Sequence, residues 1–170
     1  MWRRLALIKR PLLGDIMEFI IRKGYASDWD KAMELVWRTF IVFNAADYST
    51  EGQENFRKFL FGQELYQQYA IGNYDLLTAF DKDTLVGVLL LRENRHISLL
   101  FVDGDYHGRG IGHMLIECAS KYVRKKGRRF KISVNASRFA VPFYKHEGFK
   151  EARIEQFEDG IRYLPMELKL

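Results

Sequence analysis

Along the chain, stretches whose apolar positions recur every three or four residues trade places with stretches where they recur every second residue or run together. Residues 18–24 ("EFIIRKG") predict a short strand. After it Ser27 can cap a first helix, whose apolar positions Trp29, Ala32, Met33, Val36, Phe40 and Phe43 follow helical spacing. "NAADYSTEG" breaks that pattern, and Ser49 or Thr50 can cap a second helix through "QENFRKFLF", with Phe56, Phe59 and Leu60 on one side. "YDLLTAF" and "LVGVLLLRE" predict two strands joined through "DKDT", and "RHISLLFVD" a third after a polar turn near Asn94, together an antiparallel meander. The stripe Ile111, Met114, Leu115, Cys118, Ala119 and Tyr122 predicts a third helix ended by Gly127. The strand "RFKISV" follows, then a short helix capped by Ser137 and stopped at Gly148. Two last strands, "FKEARIEQF" and "IRYLPMEL", flank Asp159-Gly160, a strong hairpin signal.

The unit "HISLLFVD", glycine loop, helix, "RFKISV" is a strand–helix–strand crossover, which places its two strands parallel in one sheet. Ligands settle beyond the carboxyl ends of such strands, where a helix start offers unpaired N–H groups. Three glycines, Gly108, Gly110 and Gly112, stand at that start, although glycine is a poor helix former. Glycine permits positive φ and lets a ligand approach bare backbone, whose successive N–H groups can cradle phosphate oxygens. A nucleotide-triphosphatase loop needs Lys followed by Ser or Thr, and His113-Met114 stands there. The dinucleotide fingerprint needs its third glycine at position 113, which is also histidine.

Composition narrows the field further. With 170 residues, 48% of them hydrophobic, the chain suits one domain with a real core. The longest apolar run, 85–91, is too short to span a bilayer, so no membrane association is expected. The only cysteine, Cys118, excludes an internal disulfide and any multi-thiolate zinc site, and the cytoplasm is the expected compartment. Of the net charge of +5, residues 1–16 carry +3, and that segment shows neither a structural period nor the features of a secretory signal. It is read as an N-terminal extension, with a single domain over 17–170. The remaining +2 gives little footing for nucleic-acid binding, and no metal site is expected.

The loop "HGRGIG" at 107–112 resembles the pyrophosphate loop Q/R-x-x-G-x-G/A of the GCN5-related N-acetyltransferase (GNAT) superfamily in every position but the first. "AVPFYKHEGF" at 140–149 is similar to that family's A-x-x-F-Y-x-x-x-G-F, one strand after the loop. The order of elements over 17–168 fits as well. The resemblance implies an α/β (α+β) GNAT fold: a mixed, mostly antiparallel sheet of about seven strands, splayed between strands 4 and 5 and flanked by about four helices. It also implies acetyl-coenzyme A as co-substrate and a primary amine of a small molecule or peptide as acceptor. The amine would attack directly in a ternary complex. A homodimer stays open, as does a non-catalytic acyl-coenzyme A sensor.

By the same resemblance, the pantetheine arm pairs with backbone around Leu100, Phe101 and Val102. The pyrophosphate takes the N–H groups of His107, Gly108, Arg109, Gly110, Ile111 and Gly112, with Arg109 either adding charge or standing as a solvated loop arginine. Tyr144 matches the tyrosine that protonates the departing thiolate. Ser137 or Asn135 stands where the family often has an asparagine beside pantetheine, although Ser137 also suits a helix cap. Many relatives carry a glutamate base on the fourth strand; this strand has none. By two-residue alternation His96 and Ser98 share the face of Leu100, which makes His96 the candidate base. Asp47, Tyr48, Glu51 and Glu54 would suit a cationic amine, and ordinary loop and cap duties explain the same residues. The basic run "KYVRKKGRRFK" reads as a solvated face near the coenzyme's ribose phosphate.

Overall fold

The computed structural model describes residues 6–12, 15–126 and 130–170, with side chains from Phe19 onward. Among these residues nine strands form one sheet: β1 (Ala6–Leu12), β2 (Asp15–Lys23), β3 (Tyr74–Asp81), β4 (Thr84–Arg92), β5 (His96–Val102), β6 (Lys131–Ala136), β7 (Lys150–Glu151), β8 (Gln156–Glu158) and β9 (Ile161–Lys169). The order across the sheet is β1-β2-β3-β4-β5-β6-β9-β7, with β8 paired to β9. Every pairing is antiparallel except β5 with β6, the crossover pair. The helices are α1 (Trp29–Phe43), α2 (Thr50–Phe61), α3 (Gln63–Ala70), α4 (Ile111–Lys125) and α5 (Val141–His146).

The run "LVGVLLL" is apolar on both sides because β4 is covered on both faces. Leu89 and Leu91 pack with the α4 stripe, which includes Met114, Leu115 and Ala119. Val88 and Leu90 pack with Trp29, Met33 and Val36 of α1, and with Leu60 of α2 and Leu65 of α3. This α/β architecture is the one expected, with more elements than the pattern revealed. Ala6–Leu12, where no period was legible, form an edge strand whose register on β2 runs from Ala6↔Ile21 to Leu12↔Asp15. Lys9, Arg10 and Pro11 are residues that an edge tolerates and that hide a strand from a hydrophobicity pattern. The helix α3 was also missed, since Gly62 separates it from α2 and only its Leu65 is fully buried.

Of the predicted caps, Ser49 holds: its hydroxyl accepts the Gly52 N–H at 3.0 Å. Ser27 does not cap α1. It lies in a 3-10 turn over Ala26–Asp28, and Asp28 there accepts the Tyr25 N–H at 2.7 Å and pairs with Arg22. The Gly127 stop lies outside the described residues. At Asp159-Gly160 both residues have positive φ, 51° and 77°, as a tight hairpin turn requires.

Candidate active site

β5 and β6 pair only at His96↔Ser133 and Ile97↔Val134. Beyond Ile97 the strands part and open a cleft of about 800 Å³ between them. A β-bulge accompanies the parting. In the register with β4, Leu90 faces Leu99 and Leu91 faces Ile97, so Ser98 is an extra residue. A bulge bends its strand, interrupts pairing and re-aims side chains. Here it inverts the alternation: Ile97 and Leu100 pack on the α4 face, Leu99 and Phe101 on the α1 face.

That inversion corrects the expectation that His96 shares a face with Leu100. His96 sits at the closed end of the strand pair and does not line the cleft. Its Nδ1 is hydrogen-bonded to Ser133 Oγ at 2.9 Å. Burial, with Arg92 and Arg95 nearby, holds its pKa down to about 4, so the ring is neutral at pH 7.

At the other end the glycine loop meets α4. Gly108 and Gly110 adopt φ of +73° and +81°, the left-handed region in which a side chain is strained. Gly110 is the N-cap of α4, and its carbonyl accepts the Met114 N–H at 3.0 Å. Before Met114, the N–H groups of Gly108, Gly110, Ile111, Gly112 and His113 make no hydrogen bond among the described residues. Gly112 serves differently: a Cβ there would stand 2.9 Å from Phe143 Cζ, so its absence lets α5 lie close against α4.

All of the predicted site residues except His96 and Arg109 line the cleft. The Arg109 guanidinium folds back, donating to the Asp105 carbonyl at 2.8 Å and lying 4.7 Å over the Tyr106 ring. The His107 ring turns into the cleft, where Nε2–H donates to the Val102 carbonyl at 2.8 Å. One acceptor expected to serve pantetheine is thus engaged internally. Ser137 is buried, and its hydroxyl accepts Asn44 Nδ2–H at 2.7 Å and the Ala140 N–H at 3.3 Å. Asn135 is exposed at the wall.

Tyr144 lies on α5, between Pro142 and Gly148, whose φ of +87° ends the helix. The residue is 4% exposed, wedged edge-to-face between Phe143 and Phe149 at 5.2 and 5.1 Å. Its hydroxyl makes no hydrogen bond among the described residues, and burial pushes its pKa well up, so it stays a proton donor.

Sequence reasoning missed two groups of lining residues. At the loop end His113 Nδ1–H donates to Glu147 at 2.7 Å, joining the first turn of α4 to the end of α5. On the opposite face Thr39, Phe43 and Asn44 close the cleft from the last turns of α1, with Tyr48 and Phe56 beside them. The β8–β9 turn braces that side, where Gly160 O accepts the Ser49 N–H at 3.4 Å and Asp159 O accepts Asn55 Nδ2–H at 3.2 Å. Phe43 was legible only as the last apolar position of a stripe. Of the four residues considered for a cationic amine, only Tyr48 lines the cleft.

A family model described as "Acetyltransferase (GNAT) domain" matches residues 44–170, three quarters of the chain, including the glycine loop and α5. The chain belongs to the GNAT acetyltransferase family. This GNAT enzyme, an N-acetyltransferase, is 30% identical over 118 residues to the peptidyl-lysine N-acetyltransferase YjaB of Escherichia coli K12; the match covers 69% of this chain and 70% of that one. An uncharacterized N-acetyltransferase of Methanocaldococcus jannaschii is 43% identical over 65 residues, 37% of this chain and 29% of that longer one. Among solved structures, the PaiA N-acetyltransferase of Thermoplasma acidophilum in complex with coenzyme A superposes with a TM-score of 0.74 at 24% identity, over 91% of this chain and all of that one. Among the described residues no helix is long and apolar enough to cross a membrane, and no three His, Cys, Asp or Glu side chains cluster to hold a metal ion.

Proposed function

We propose that this GNAT enzyme transfers acetyl from acetyl-coenzyme A to a primary amine, by direct attack while both are bound. The observation that carries this reading is the set of N–H groups of Gly108, Gly110, Ile111, Gly112 and His113, which make no hydrogen bond among the described residues, at the mouth of the β5–β6 cleft. Such a set, at a helix start where the dipole favours negative charge, fits a pyrophosphate. The coenzyme A complex of the Thermoplasma relative supports the same choice.

Coenzyme A brings the activated thioester; the chain holds and polarises it. Backbone groups of β5 beyond the bulge meet the pantetheine arm, and a β5 N–H draws charge from the thioester carbonyl. The amine attacks the carbonyl carbon, a C–N bond forms and the C–S bond breaks. The Tyr144 O–H gives its proton to the leaving thiolate. Water in the cleft carries off the proton of the attacking amine, since among the described residues no carboxylate lines the cleft near Tyr48 and Phe56 and the His107 ring is engaged with the Val102 carbonyl. Cys118 has no part in acyl transfer: it is buried in the α4 stripe, where burial pushes its thiol up to about 11. A single buried thiol also suits work in the cytoplasm.

Thiol release, followed with purified protein, acetyl-coenzyme A and a panel of amines and peptides, tests the reading. Release that depends on the amine is expected. Tight coenzyme binding without release across the panel would mark a binding module instead.

A further inference from the structure

The half of the cleft that faces α1 and α2 is walled by Phe43, Tyr48, Phe56, Phe101 and Phe139. Their rings form two groups along the wall: Phe43 stacks on Phe139 at 5.3 Å, and Phe56 stands 6.2 Å from Phe101 and 6.5 Å from Tyr48. Burial lifts the Tyr48 phenol to about 12, so it too is neutral. The His107 ring lies 4.7 Å from Phe43, and the remaining polar side chains of this wall, Asn44, Thr39 and Ser98, are uncharged types. Asn44 is 6% exposed; its Nδ2 is spent on Ser137, while Oδ1 accepts no hydrogen bond among the described residues. Neither the Thr39 nor the Ser98 hydroxyl is hydrogen-bonded among the described residues. Among the described residues lining the cleft, the one carboxylate is Glu147, already held by His113 at the loop end. Asp47, Glu51 and Glu54 lie outside the lining, and Glu155 on the β7–β8 connection is bound by Arg138 and Arg162.

We propose that the acceptor is a primary amine carried on an aromatic or extended apolar group, seated against these rings as the free base with an N–H on Asn44 Oδ1. Polyamines and the lysine side chain are the disfavoured acceptors. An ammonium entering this half of the cleft would give up its hydration with no carboxylate in return, a costly exchange in a partly dry site. An apolar group gains by leaving water, and a neutral amine needs only the single acceptor that Asn44 leaves open. The proposal rests on the transfer reading above.

Thiol release is measured at saturating acetyl-coenzyme A with 2-phenylethylamine, spermidine and Nα-acetyl-lysine amide. The expected kcat/KM is at least tenfold higher for 2-phenylethylamine than for either of the others. Calorimetry on the coenzyme A complex, which needs no turnover, should show 2-phenylethylamine binding and spermidine failing to bind. Asn44→Asp, which puts a carboxylate on this wall, should move the kcat/KM ratio toward spermidine at least fivefold, with coenzyme A affinity measured in parallel to establish that the variant is folded. A kcat/KM for spermidine or the lysine amide equal to that for 2-phenylethylamine overturns the inference and leaves acetyl transfer standing. Binding of 2-phenylethylamine with no thiol release from any amine overturns transfer and upholds the pocket's preference. Failure of 2-phenylethylamine to bind, with coenzyme A bound, overturns the inference.

Discussion

His96 offers a measurement that separates a structural histidine from a catalytic one. In the folded chain its pKa is about 4, against an ordinary value of 6.5. Between those values the unfolded chain binds the proton that the folded chain refuses, so stability is complete above pH 6.5 and is lost as pH falls toward 4. At pH 4.5 the loss is about 2.5 kcal/mol, given the drop from 6.5 to about 4 at about 1.36 kcal/mol per tenfold change in proton affinity and incomplete titration at that pH. His96→Gln keeps a group able to bond Ser133 and removes the titration. Urea unfolding of both proteins at pH 7.5 and pH 4.5 should find the wild type losing about 2.5 kcal/mol more than the variant, against a background of carboxylate titrations common to both. The thiol-release profile of the variant should keep its shape between pH 6 and 9. Equal acid losses in the two proteins would refute the buried, neutral histidine, and a lost alkaline-going limb in the variant would restore His96 as the base.

Tyr144→Phe removes the proton donor and leaves its packing against Phe143 and Phe149; turnover should fall about 10²-fold with coenzyme affinity by calorimetry within twofold. Gly110→Asp combines a left-handed φ of +81° with a carboxylate beside the loop's N–H groups; coenzyme A binding should disappear in calorimetry, while backbone strain of about 1–2 kcal/mol lowers Tm by only a few degrees. His107→Ala frees the Val102 carbonyl from its internal partner; with a net hydrogen bond worth about 1 kcal/mol, coenzyme affinity should rise roughly fivefold, and a fall would show that the ring itself assists binding.

The half of the cleft proposed for the coenzyme was legible because its features are local. The positive φ of Gly108 and Gly110 and the N–H groups of the following turn belong to neighbouring residues, so "HGRGIG" announces them, and Tyr144 follows in a motif whose spacing is set by one short helix. The acceptor half was not, because its residues meet from distant stretches: Asn44 reaches Ser137 across 93 positions, and Phe56 reaches Phe101 from another helix. Nothing in "FNAAD" distinguishes an asparagine that bridges a cleft from one that merely ends a helix. Side-chain direction was a separate source of error. Arg109 and His107 stand where the motif puts them, yet one folds back onto Asp105 and the other bonds Val102, choices made by neighbours rather than by loop spacing.

The same bulge that misdirects the alternation would let one strand serve both proposed substrates. Without the bulge, with Ser98 taking its turn in the alternation, the face that carries Ile97 would go on to Leu99 and Phe101, and Leu100 would point toward α1. With the bulge, Leu100 and Val102 go to the face of the glycine loop and Tyr144, while Leu99 and Phe101 go to the face of Phe56 and Asn44. The bulge also coincides with the end of β6 pairing, so the backbone between these side chains is open on its cleft edge. A coenzyme entering from the α4 side and an amine entering from the α1 side can therefore meet through the parted strands, without either crossing a packed sheet. The polar backbone exposed by the parting is the surface that the pantetheine arm needs, since an unpaired strand edge offers alternating donors and acceptors at fixed spacing.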